Sequence, residues 1–164
     1  MKQVAVGVIM NNGHVLACQR KRDGSYPLKW EFPGGKLEPN ESAKAALARE
    51  LREELGIDAV VTGELHKQEW VYPDGDSNPN GGAFRVFYFL ISSFTGTPEN
   101  HAFEQIRWVP PDELKSMDIL EGTSEICICQ GGRLLMSRQA PVGRRDLVAG
   151  KGDDILRQID LTLT

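Results

Sequence analysis

Three observations predict a mixed α/β protein, built as an α/β or α+β sandwich. Runs rich in β-branched and aromatic residues recur along the first 110 positions, and an Asn-Gly turn separates the first two of them. A single uninterrupted helical stretch, Ala43 to Leu55, is marked at both ends. The length of 164 residues, with 40% hydrophobic and 26% charged, suits one domain able to bury a core of its own. One domain is therefore expected over residues 1–164, with a core of about 3–120 and a less regular extension of about 121–164.

The elements follow in order. Val4 to Met10 and His14 to Arg20 flank Asn11-Asn12-Gly13, whose Asn-Gly pair accepts the positive backbone angles of a tight hairpin. Residues 21–29 are polar and interrupted by Gly24 and Pro27, so they form a loop leading to Trp30-Glu31-Phe32, which Pro33-Gly34-Gly35 ends sharply. Ser42 can cap the helix that follows, and Gly56 supplies its stop. At roughly 100° per residue, Leu47, Ala48, Leu51 and Leu55 share an apolar stripe, whereas Glu50, Glu53 and Glu54 fall on a neighbouring face with the small residues Ala43 and Ala46. Asp58 to Tyr72 and Ala83 to Ser92 read as strands around the polar loop 73–82, and another strand is expected near Gln105 to Val109. Pro110-Pro111-Asp112-Glu113-Leu114 reads as the start of a short helix. In the tail, Ile126 to Gln130, Gly131-Gly132 and Arg133 to Met136 suit a second hairpin.

Composition excludes several functions. A net charge of −4 and a pI near 5.4 lack the basic excess of a polymeric nucleic-acid binder. The three cysteines, Cys18, Cys127 and Cys129, have no C-x-x-C spacing and the three histidines are scattered, which argues for a reducing compartment and against zinc. Val4 to Met10 is too short to span a membrane. A cytoplasmic monomer or homodimer is expected. Asp74 to Asn78 imitates the first half of a calcium loop, but Pro79 and Arg85 stand where glycine and glutamate are needed. It is better read as a mobile loop on the substrate side. Cys127 and Cys129, alternating on a strand, read as a structural thiol pair rather than a redox centre.

The stretch R-E-L-R-E-E-L-G-I, Arg49 to Ile57, poses a problem of charge. On a helix, Glu53 and Glu54 stand three and four residues beyond Glu50, so three carboxylates repel one another across one face. Gly35, Glu41, Arg49, Glu50, Leu51, Glu53, Glu54, Gly56 and Ile57 fill every fixed position of G-x5-E-x7-R-E-U-x-E-E-x-G-U, with U aliphatic. So many fixed positions coincide by chance in far fewer than roughly one window in a million. This is the Nudix box, and the chain resembles a Nudix hydrolase over about residues 3–120. Trp30 to Lys36 further resembles the MutT-like branch, which hydrolyses nucleoside triphosphates, often oxidised or otherwise modified ones.

The chemistry accounts for the pattern. Hydrolysis within a phosphate chain requires divalent cations to neutralise oxygens and acidify water, and hard cations such as Mg²⁺ take oxygen ligands. The resemblance implies the Nudix fold, an α/β/α sandwich whose box helix packs on a mixed sheet. It further implies Mg²⁺, with Mn²⁺ as a substitute, held by Glu50, Glu53, Glu54 and the Gly34 carbonyl. Arg49 would orient the carboxylates and Glu41 would brace the loop, while Lys36 would reach a phosphate and Arg20 the nucleotide. A further glutamate preceding Arg107-Trp108 would serve as base or metal ligand. Glu104 and Glu99 are the candidates, with Glu104 preferred and Glu53 as the alternative base.

The implied reaction is Mg²⁺-dependent hydrolysis of a nucleoside triphosphate to a monophosphate and pyrophosphate. Phe32 would wall the base. Thr123 stands where the branch carries Asn or Asp, and one hydroxyl does not reproduce an amide's paired donor and acceptor. An oxidised substrate such as 8-oxo-dGTP and a pyrimidine triphosphate thus both stay open. The alternatives are hydrolysis of a linked nucleoside diphosphate, ADP-ribose or a dinucleotide, and a sensor domain that binds nucleotide without turnover. Sensor domains generally lose box carboxylates, and here all are present.

Overall fold

The computed structural model describes residues 1–72, 81–124, 127–130 and 133–136, the last two segments as backbone only. The opening hairpin forms as its turn dictates. Strands β1 (Lys2–Asn11) and β2 (His14–Gln19) join through Asn12 and Gly13, both with positive φ, and pair Met10 with Val15. Two short strands, β3 (Trp30–Glu31) and β4 (Gly34–Lys36), precede helix α1 (Ala43–Leu55). Ser42 Oγ accepts the Ala45 amide at 3.2 Å, and Gly56 closes the helix in the left-handed region with its amide on the Arg52 carbonyl. Then come β5 (Asp58–Ala59), β6 (Glu64–Tyr72), β7 (Gly82–Ile91), β8 (Phe94–Thr95) and β9 (Gln105–Val109). A 3₁₀ helix (Pro111–Ser116), a short helix α2 (Glu121–Ser124) and the hairpin β10 (Cys127–Gln130) with β11 (Arg133–Met136) complete the described chain.

The main sheet is mixed and runs β3-β2-β1-β7-β6. β1 lies parallel to β7, from Lys2 opposite Phe84 to Ile9 opposite Ile91. β1 also pairs antiparallel with β4, which sets Gly34 and Gly35 against Val6 and Ala5. β9 pairs with β2, and β6 with β7.

Alternation along the strands divides the core into two. Ala5, Ile9, Leu16, Cys18, Phe89 and Ile91 face α1 and pack with Ala46, Leu47, Leu51 and Leu55. Val8, Val15, Ala17 and Tyr88 face the other way and pack with Trp30, Phe32, Val109 and Leu114 of the 3₁₀ helix. The sheet thus lies between α1 and the 3₁₀ segment, the sandwich that the sequence predicts.

Three details differ from the sequence reading. Ala46, not Ala48, completes the buried face of α1. Ala46 lies one turn before Glu50, so the edge of the acidic face is pressed against the sheet. Asp58 to Tyr72 is two strands: β5 pairs with β8, whereas β6 joins the main sheet after Gly63. Propensity alone does not reveal that adjacent residues serve different ladders. The helix at Pro111 is 3₁₀ in form. The expectations for the Asp74 to Pro79 loop, the Cys127 and Cys129 side chains and residues 137–164 fall outside the description. No helix among the described residues is long and apolar enough to cross a membrane.

Candidate active site

The end of α1, strand β4 and the start of the β1–β7 ladder meet at one place. Gly34 has φ 144° and its position leaves no room for a side chain, because a Cβ would overlap the Ala5 carbonyl. A Cβ at Gly35 would overlap the Glu50 carboxylate. The two glycines therefore admit the helix carboxylates to the β4 backbone, and the Gly34 amide donates to Glu54 Oε2 at 3.0 Å.

Arg49 organises this loop. Its Nε and Nη2 donate to the two oxygens of Glu41 at 3.0 and 2.9 Å, its Nη1 to Glu50 Oε1 at 2.8 Å, and its Nη2 to the Lys36 carbonyl at 3.1 Å. The contact with Glu53 expected from i,i+4 spacing exists but is the longest, at 3.4 Å. Glu41 also accepts the Glu38 amide at 2.9 Å, so its carboxylate bonds both the loop backbone and Arg49. Arg49 and that amide hold the Glu41 carboxyl below the ordinary range, and the carboxylates hold the Arg49 guanidinium above its own.

The three helix carboxylates occupy different environments. Glu53 is 60% exposed and Glu50 17%. Burial pushes Glu54 up to about 8; the Gly34 amide opposes this, while the charges of Glu50, Glu31 and Glu53 add to it. Among the described residues, no three carboxylate, histidine or cysteine side chains converge as a closed metal cage. Glu50 is turned to Arg49 and Glu54 to Gly34. An open set of hard oxygen donors still fits Mg²⁺, which is bound through few protein carboxylates, keeping waters and taking substrate phosphates as further ligands.

Beside the carboxylates lies a cavity of about 310 Å³. Gly34, Gly35, Lys36 and Glu54 form its charged part, and Phe32, Tyr26, Tyr72, Phe84 and Tyr88 supply aromatic walls. Phe32, Lys36, Arg20 and Thr123, the substrate-side candidates in the sequence, all line it. Thr123 is only 6% exposed. It is carried there because Trp30 and Ile119 pair as a short parallel bridge, with Trp30 N on the Asp118 carbonyl and Leu120 N on the Trp30 carbonyl, both at 2.8 Å. Gln68 Nε2 donates to the Gly122 carbonyl at 2.7 Å and docks α2 on β6.

Arg20 reaches the cavity already engaged. Its Nη1 donates to both oxygens of Glu31 at 3.0 and 2.8 Å, and its Nε to the Ser25 carbonyl at 2.7 Å. Glu31 is the residue that sequence reasoning missed. Burial pushes its carboxyl up and Arg20 opposes that rise. Its charge bears on Glu54 and on Tyr72 alike, so it stands between the charged and aromatic parts. The signal available was a charged residue between two buried aromatics, Trp30 and Phe32.

Glu104 lies apart. Arg22 grips Oε1 through Nε and Nη2 at 3.1 and 2.6 Å, holding the carboxyl below its ordinary value, and Glu104, like Glu50 and Glu53, is not among the residues lining the cavity. Glu99 pairs with His101 at 3.3 Å, near the C-terminal end of α1. Cys18 is buried, and burial together with Glu54 and Glu31 raises its thiol well above the ordinary value, so it is a packing residue.

Known proteins resemble this chain in sequence and fold. The NUDIX domain family model matches residues 1–127. The chain is 36% identical over 116 residues to the CTP pyrophosphohydrolase of Escherichia coli (strain K12), a match covering 69% of this chain and 78% of that protein. It is 31% identical to the nucleoside triphosphatase NudI of Klebsiella pneumoniae (strain 342), over 81% of this chain and 98% of that one. The crystal structure of a MutT NUDIX hydrolase from Burkholderia pseudomallei superposes with a TM-score of 0.66 at 25% identity, over 76% and 93% of the two chains.

Proposed function

The chain belongs to the NUDIX domain family, and from that premise we propose that it hydrolyses a nucleoside triphosphate to a nucleoside monophosphate and pyrophosphate with Mg²⁺. The observation that carries this reading is the Gly34–Gly35 cradle, which brings the Glu50 carboxylate against Gly35 and admits Glu54 to the wall of an aromatic-lined cavity. Relatives named as a CTP pyrophosphohydrolase and a nucleoside triphosphatase support the same substrate class.

Glu50, Glu53, Glu54 and the Gly34 carbonyl are the groups that would hold Mg²⁺, with Mn²⁺ as a substitute. The bound ion supplies charge neutralisation on the phosphate oxygens and a more acidic attacking water. Arg49 fixes Glu50 and the β4 carbonyl at Lys36, so that the donors meet the substrate already oriented. Lys36, at the charged part of the cavity, offers a point charge to a phosphate. The water oxygen bonds to one phosphorus of the α–β bridge, the bridging oxygen departs with the other fragment so that monophosphate and pyrophosphate result, and Glu53 takes the water's proton. Glu53 suits that role because it is exposed and loosely held, whereas Glu104 is committed to Arg22. Phe32 and Thr123 line the space for the base, and Glu31 faces it with Arg20 behind.

A panel of nucleoside triphosphates, with ADP-ribose for comparison, tests this reading. Pyrophosphate release dependent on Mg²⁺ is expected from the triphosphates. AMP from ADP-ribose as the main activity contradicts it.

A further inference from the structure

The loop between β2 and β3 is closed by unusual backbone geometry. Tyr26 and Leu28 are both held in the left-handed region, at φ 51° and 61°, on either side of Pro27. Non-glycine residues adopt this region only when their surroundings impose it. Here the Leu28 amide donates to the Arg20 carbonyl at 3.2 Å, Gln19 Nε2 to the Leu28 carbonyl at 3.0 Å, and Arg20 Nε to the Ser25 carbonyl at 2.7 Å. The result is to aim the Tyr26 ring across the loop into the cavity.

There the ring meets Tyr72 of β6, with centroids 4.9 Å apart and planes at 39°, and the Arg20 guanidinium lies 6.0 Å from its centroid. Tyr72 is itself wedged edge-on by Phe84 at 5.8 Å and Trp70 at 6.2 Å. A base inserted between two rings needs about 7 Å between their planes, twice an ordinary stacking distance. Tyr26 and Tyr72 therefore leave no slot between them and together form a wall.

We propose that Tyr26 is a specificity-determining residue: braced by Arg20 and Tyr72, it shortens the base end of the cavity so that a single-ring base is accepted and a two-ring base is disfavoured. This rests on the triphosphate reading above and extends it to a substrate class, the pyrimidine nucleoside triphosphates. The cavity of about 310 Å³ is at the small end for ligand sites. On that reading the phosphates would lie at Glu54 and Lys36, and the tyrosine wall bounds the aromatic part of the cavity that Phe32, Phe84 and Tyr88 also line.

The test compares kcat/KM for CTP with that for GTP, by pyrophosphate release, in the parent, Tyr26→Ala and Tyr26→Phe, with thermal melts to check folding. The parent is expected to favour CTP. Tyr26→Ala should cut the CTP-to-GTP ratio by about tenfold or more, the scale on which hydrophobic pockets discriminate by size. Tyr26→Phe, which keeps the ring, should retain the parent's ratio. A ratio that stays within about twofold in folded Tyr26→Ala, or a Tyr26→Phe variant that shifts as far as the alanine, overturns the proposal and leaves the triphosphate reading standing. If the parent releases no pyrophosphate from any triphosphate, the underlying reading falls and this proposal with it.

Discussion

Arg49 clasps Glu41 through two near-parallel hydrogen bonds, at 3.0 and 2.9 Å, and reaches Glu50 with the same guanidinium at 2.8 Å. One planar fork thus joins the loop after β4 to the helix that carries the box carboxylates. Lysine keeps the charge but has no fork. Arg49→Lys should therefore lower activity by about 10- to 100-fold, the usual cost of losing a group that orients metal ligands. Steady-state kinetics across a Mg²⁺ titration checks this: the variant should require more Mg²⁺ for half-maximal rate. An unchanged Mg²⁺ requirement removes Arg49 from the orienting role.

Gly35→Ala places a methyl on the Glu50 carboxylate. Misplacing a catalytic ligand by about 1 Å can cost on the order of 100-fold in rate, and a loss of that size is expected here. Folding should largely survive, because the obstacle is the end of a flexible side chain. Gly34→Ala meets the Ala5 backbone instead, and its soluble yield and melting temperature should fall much further.

In the metal-free protein, Glu54 should make stability fall with rising pH. Its folded carboxyl is pushed up to about 8 from an ordinary 4.5. A raised carboxyl contributes stability that is fully present below its unfolded pKa and is lost as pH rises through the folded one. The window is thus about pH 4.5 to 8. Glu54→Gln, neutral throughout, should be more stable than the parent at pH 8.5 in a chelator, by roughly 1 to 3 kcal/mol. Denaturant melts at pH 5 and pH 8.5 measure the difference, which should shrink at the lower pH.

Arg20 and Glu31 are unequal partners. Removing the arginine leaves a largely buried carboxylate unpaired, whereas Glu31→Gln leaves a neutral acceptor beside the cation. Arg20→Ala should cost more stability than Glu31→Gln, by roughly 1 kcal/mol. Glu31→Gln should mainly raise KM for the preferred triphosphate, by about tenfold, or about 1.4 kcal/mol of binding. Urea melts and a kcat-against-KM comparison separate the two effects.

The box was legible because its residues sit within one loop and one helix, where spacing alone fixes which side chains share a face. Spacing points to Arg49 with Glu53, a contact that forms at 3.4 Å; the shorter bonds of Arg49 to Glu41 and Glu50 depend on how the loop after β4 folds back on the helix. The aromatic end of the cavity was not legible in the same way. Tyr26, Glu31, Tyr72, Phe84 and Thr123 come from separate elements, and the pairing of β6 with β7 and the bridge between Trp30 and Ile119 bring them together. The loop aiming Tyr26 depends on two left-handed residues that are neither glycine nor asparagine, so its composition gave no warning. Ala46 was misplaced for a related reason: amphipathicity locates a stripe but not the side from which the sheet approaches it.

The most direct measurement of the central claim follows the products. The parent and Glu53→Gln are incubated with CTP and Mg²⁺, and phosphorus NMR identifies what is released. CMP and pyrophosphate in equal amounts are predicted from the parent, with loss of nearly all turnover in the variant and in chelator. CDP and inorganic phosphate, or equal rates from parent and variant, would contradict the account.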